Sequence, residues 1–117
     1  MMGLHEVVQG LSERQGVEAV VVLSADGLPI DHATRRAIDA DAVAALAATL
    51  AQGARRLGRA AECEELTAGV LEFGDRLTIF SALPDENLLF LVLTPGTNAG
   101  ELLHDLRRHG SAFAALL

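Results

Sequence analysis

The chain has 117 residues, half of them hydrophobic, which is enough for one core spanning 1–117 but not for two, and too apolar for a disordered chain. Its net charge of −7, with no basic tract, argues against nucleic acid or an anionic membrane as the main partner. No apolar run approaches the ~18 residues of a membrane span, and the lone cysteine, Cys63, excludes an internal disulfide framework.

Leu4, Val7, Val8 and Leu11 recur at helical spacing, so a short amphipathic helix is expected to stop near Gly16. Val17 to Leu23 is almost wholly apolar and rich in β-branched valine, which reads as a strand buried on both faces. Ala25-Asp26-Gly27 turns the chain, since glycine supplies the positive φ of a tight hairpin. Leu28 and Ile30 then fall on one face of a second strand, with Pro29 and Asp31 on the other. Proline cannot donate to a ladder, so this strand belongs at a sheet edge.

Thr34 to Ile38 connects to a long helix capped by Asp39 or Asp41 and running to about Gly58. On a helical wheel Val43, Leu46, Leu50, Ala54 and Leu57 share one stripe, which is expected to face the sheet. One flank of the stripe carries the small residues Ala40, Ala44, Ala47, Ala51 and Gly58. The opposite face carries Ala45, Ala48, Gln52, Arg55, Arg56 and Arg59.

Glu62 to Phe73 reads as a third strand, in which Leu66, Ala68 and Val70 alternate against Thr67, Gly69 and Leu71. Its acidic start suits an edge, where charge discourages indiscriminate pairing. Gly74-Asp75 leads to a fourth strand, Arg76 to Leu83, and Pro84 to Asn87 forms another turn. Leu88 to Leu93 is a second continuous apolar run and hence a second central strand. Asn98 with Glu101 makes a cap pair for a last helix that buries Leu102, Leu103, Leu106, Phe113 and Leu117. The expected fold is α/β (α+β) in the order α-β-β-α-β-β-β-α. Its five-stranded, mostly antiparallel sheet has spatial order 2-1-5-4-3. Helices cover both faces.

Chemistry-bearing constellations are scarce. His5 and His32 are scattered, and His104 and His109 lie about 140° apart on one helix, the wrong spacing for a shared metal. Cys63 has no helix N-terminus or cationic neighbour to make it a thiolate, and reads as a strand residue. Ser24 is not in a nucleophile elbow, and Gly96 to Gly100 is no dinucleotide fingerprint. All basic residues are arginine, so a Gly-x-x-x-x-Gly-Lys phosphate loop is impossible. No catalytic residue, cofactor or metal is expected.

The Gly16-Val17 entry, the valine-rich strand, Asp26-Gly27-Leu28-Pro29-Ile30 and the alanine-rich helix together resemble the Roadblock/dynein-light-chain family. Its bacterial members include partner proteins of small Ras-like gliding-motility GTPases, and the family shares the 2-1-5-4-3 order. The resemblance implies a cytoplasmic homodimer joined through the long helix and the third strand. The expected interface is then Ala44, Ala47 and Ala51 with Leu66, Ala68 and Val70. The outward residues Ala45, Ala48, Gln52, Arg55 and Arg56 would form a flat platform for the GTPase. Alanine's helix propensity offers a plainer account of the small flank. A scaffold in a signalling or motor complex, or a small-molecule sensor using the sheet face, are the alternatives to a regulator. Arg55 and Arg56 sit on a regular helix, so they are expected to aid association and not to act as arginine fingers.

Overall fold

A computed structural model of the chain describes residues 3–110 and 115–116. Its elements are α1 (Leu4–Ser12), β1 (Val17–Leu23), β2 (Pro29–Thr34), α2 (Ala40–Ala60), β3 (Ala68–Glu72), β4 (Leu77–Ala82), β5 (Leu88–Leu93) and α3 (Ala99–Arg108). A single 3-10 turn, Pro84–Glu86, joins β4 to β5. The sheet order is β2-β1-β5-β4-β3 and every pairing is antiparallel. The order inferred from apolar runs and Pro29 therefore holds.

Alternation along the strands splits the core into two layers. Val20, Val22, Ala33, Ile79, Leu89 and Leu91 face α1 and α3, where Val8, Leu102 and Leu106 complete the cluster. Val21, Leu23, Phe80 and Leu88 face α2. The caps of α2 and α3 are local. The Asp39 carboxylate accepts from the Ala42 N–H at 3.1 Å, and the Asn98 side chain accepts from the Glu101 N–H at 3.0 Å.

β3 is shorter than the expected Glu62–Phe73 strand. The N–H of Cys63 donates to the Gly58 carbonyl at 2.8 Å and that of Glu62 to the Arg59 carbonyl at 3.1 Å. Glu62 adopts a left-handed φ of 58°. The open carbonyls at the end of α2 thus capture this stretch before it can reach the sheet. Cys63 lies in an exposed connector and not in a strand. Phe113 and Leu117, expected in the last helix, lie outside the described residues.

Arg14, just beyond α1, donates to the Asp105 carboxylate of α3 at 2.9 Å. That hydrogen bond, aided by the Arg14 charge and against some desolvation, holds the Asp105 carboxyl below its ordinary value of 3.8. A depressed folded-state value contributes stability above the ordinary carboxylate range, lost as pH falls through the folded value. Arg14→Gln is therefore expected to flatten the acid side of the stability curve. Urea unfolding at about pH 5 and about pH 3 should show wild type losing more stability over that window than the variant does. Equal losses would mean the pair contributes nothing.

Candidate functional site

The helix α2 presents to the sheet a face different from the expected one. Ala44 is fully buried (0% exposed), and Ala47, Ala48 and Ala51 are buried beside Val21, Leu23, Phe80 and Leu88. Leu46 and Leu57 are 71% and 70% exposed, and Leu50 is also exposed. Relative to the expected stripe, the helix is turned by roughly the 100° of one residue step.

Two packing demands explain the turn. Large side chains from the strands already fill the layer, so small helix residues complete it at native density. The β1–β2 hairpin also presses on the helix. Gly27 has φ +81°, and a Cβ there would lie 3.2 Å from the Ala45 Cα and 3.3 Å from the Ala48 Cβ. Larger residues at 44, 45 or 48 would drive the hairpin off. The expectation that Leu46, Leu50 and Leu57 face the sheet is thus corrected; of the same stripe, Val43 packs against the buried layer and Ala54 is half-buried. Also corrected is the expectation that Ala44, Ala47 and Ala51 are open to a second helix, because the chain's own core consumes them.

The remaining expected site residues fall as follows. Leu66 and Ala68 are half-buried and Val70 is exposed, at and beside the free edge of β3. Ala45, Gln52 and Arg56 are exposed on the outer side of α2 and Arg55 is half-buried, but Ala48, expected to face outward, is instead buried beneath Gly27 in the core layer. Among the described residues Arg55, Arg56 and Arg59 form no ion pair. By contrast, Arg76 donates to Glu18 at 2.6 Å and also pairs with Asp75. The hydrogen bond from its guanidinium to Glu18 raises the Arg76 pKa above the ordinary value.

The residues that sequence reasoning missed are the outward leucines. Leu57 shares a groove of about 1140 Å³ with Gly58, Leu66, Ala68 and Leu83, so one end of the leucine ridge adjoins the start of β3. The signal was present: α2 carries two apolar stripes, one small and one large, and only one can face the sheet. Leu28 on the hairpin, 64% exposed, is a further apolar surface residue beside the Ala45 side of α2. Among the described residues no group of three or more His, Cys, Asp or Glu side chains is placed to hold a metal. No helix among them is long and apolar enough to cross a membrane.

The comparisons with known proteins agree with this architecture. Residues 4–94 match the family described as Roadblock/LC7 domain. A Roadblock/LC7 domain from Streptomyces avermitilis superposes with a TM-score of 0.86 at 23% identity, covering 97% of each chain. Myxococcus xanthus MglB gives a TM-score of 0.87 at 15% identity, over 96% of this chain and 92% of that one. The gliding protein MglB from Thermus thermophilus gives 0.84 at 17% identity, over 99% and 93%. No curated protein matches the chain in sequence.

Proposed function

The chain belongs to the Roadblock/LC7 domain family, and from that premise we propose that it is a non-catalytic, homodimeric regulator of a small Ras-like GTPase. The observation that carries the reading is the outward leucine ridge of α2, Leu46, Leu50 and Leu57, running into the open edge of β3. Exposed leucines on one side of a helix are a surface awaiting a partner. A second copy meets both halves of the surface at once: its α2 covers the ridge and its β3 pairs with β3. Ridge and edge thus replace Ala44, Ala47 and Ala51 as the dimer contact, with Leu66, Ala68 and Val70 kept.

In such a dimer the outer sides of the two α2 helices lie side by side. Ala45, Gln52 and Arg56, with Leu28 beside them, then form a flat platform with unpaired arginines at its ends. Free guanidinium groups at such ends steer an acidic surface and raise the rate of encounter. A protein without catalytic groups still accelerates hydrolysis when it holds the GTPase's own residues in place.

The test is binding of the purified chain to each small Ras-like GTPase encoded in its source genome, loaded with GDP or with a non-hydrolysable GTP analogue. Nucleotide-dependent binding of at least one, weakened about tenfold by Arg56→Glu (~1.4 kcal/mol), is expected. Binding without any change in GTP hydrolysis would favour the scaffold. Absence of binding to all of them in either state would refute the proposal.

A further inference from the structure

The sheet has two free edges, β2 and β3, and they offer a further strand very different surfaces. In the β1–β2 ladder the Arg35 N–H donates to the Glu18 carbonyl at 2.9 Å, and Val20 pairs with Ala33. The alternation of an antiparallel ladder then turns the N–H groups of His32 and Thr34 outward, to the free edge. The His32 N–H is already taken. It donates to Oδ1 of Asp31 at 2.8 Å, while His5 of α1 holds Oδ2 of the same carboxylate through Nδ1 at 2.9 Å.

The start of β2 is closed as well, whereas the outward Thr34 N–H meets no side-chain acceptor among the described residues. Pro29 has no N–H to give. The register slips between Val22 and Leu23, pairing them with Asp31 and Pro29 and leaving Ile30 as a bulge without a β1 partner. β3 is different. Its register with β4 is unbroken from Ala68 to Glu72. The Phe73 and Thr67 backbones bond inward to β4, so the N–H groups of Ala68, Val70 and Glu72 face out. Among the described residues no side chain accepts from them.

We infer that Asp31, positioned by His5, is a stop on the β2 edge that confines strand addition to β3. The occupant it excludes is the β2 edge of a second copy of this chain. Leu28 and Ile30 are exposed beside that edge, so without the stop an incoming strand would gain apolar burial as well as hydrogen bonds. Two copies meeting there in antiparallel fashion would also bring their Asp31 carboxylates to one seam, where like charges oppose pairing. The inference stands whether or not the chain regulates a GTPase.

The test is light scattering of the full chain across a range of concentrations. Asp31→Ala is expected to exceed the wild-type mass by an amount that grows with concentration, because each dimer joined through β3 keeps two β2 edges and their pairing propagates. His5→Ala, which only loosens the carboxylate, should shift the mass in the same direction by less. Ile30→Lys added to Asp31→Ala should restore the wild-type mass, because lysine on an edge resists pairing. A folded Asp31→Ala variant with wild-type mass at every concentration overturns the inference. A larger species that persists with Ile30→Lys also overturns it, since that species is aggregation and not strand pairing. Should Asp31→Ala fail to fold, His5→Ala decides alone, and an unchanged mass rejects the role of Asp31.

Discussion

Phe80→Ala is expected to lower the stability of the chain by about 3–5 kcal/mol, read as a fall in the urea midpoint at constant slope. Phe80 is 4% exposed on β4, inside the layer under α2. Its ring lies across the neighbouring strand against Gly69, so closely that a Cβ added to Gly69 would fall among the ring atoms. Gly69 and Phe80 are direct cross-strand partners, and Phe80 is also paired with Phe90 of β5. The ring therefore shields the backbone of a glycine that has no side chain of its own, and truncation leaves both a cavity and an uncovered ladder. Coupling follows from the same geometry. Gly69→Val should destabilise wild type by overpacking, yet cost much less, or even stabilise, in the Phe80→Ala background, where valine's β preference is unopposed. A double-mutant cycle measures the difference. Additive effects would mean that ring and glycine do not share that space.

Ala51→Glu and Leu57→Glu should separate folding from assembly. Ala51 is 2% exposed and packs on the sheet, so a glutamate there buries an unpaired carboxylate at a cost of several kcal/mol. The expected result is a largely unfolded chain by circular dichroism. Leu57 faces solvent, so Leu57→Glu should keep the fold within about 0.5 kcal/mol of wild type. It should nevertheless weaken the proposed dimer, because the carboxylate would enter a leucine contact. Light scattering at matched concentration reads the second effect. If Ala51→Glu folds normally but dissociates the dimer, the small stripe faces a partner after all. If Leu57→Glu keeps the wild-type mass, the ridge is not the contact.

Much of the architecture was written in local sequence. The almost wholly apolar run Val17–Leu23 and the continuous apolar run Leu88–Leu93 call for burial on both faces, which places β1 and β5 at the centre. Pro29 and the acidic approach to β3 mark the edges, and Asn98 fixes the start of α3 through a bond spanning only three residues. Each of these depends on neighbours in the chain, so pattern and propensity suffice. The candidate surface depends on residues far apart. Two apolar stripes on α2 compete for the sheet, and hydrophobicity alone favours Leu46, Leu50 and Leu57. The outcome is set by the volume left between Val21, Leu23, Phe80 and Leu88 and by the Gly27 hairpin above Ala44 and Ala48. Only the assembled layer defines that volume, and it admits alanine and turns leucine outward. The closing of the β2 edge is likewise tertiary, because Asp31 meets His5 across 26 residues of chain, when α1 has packed beneath the sheet.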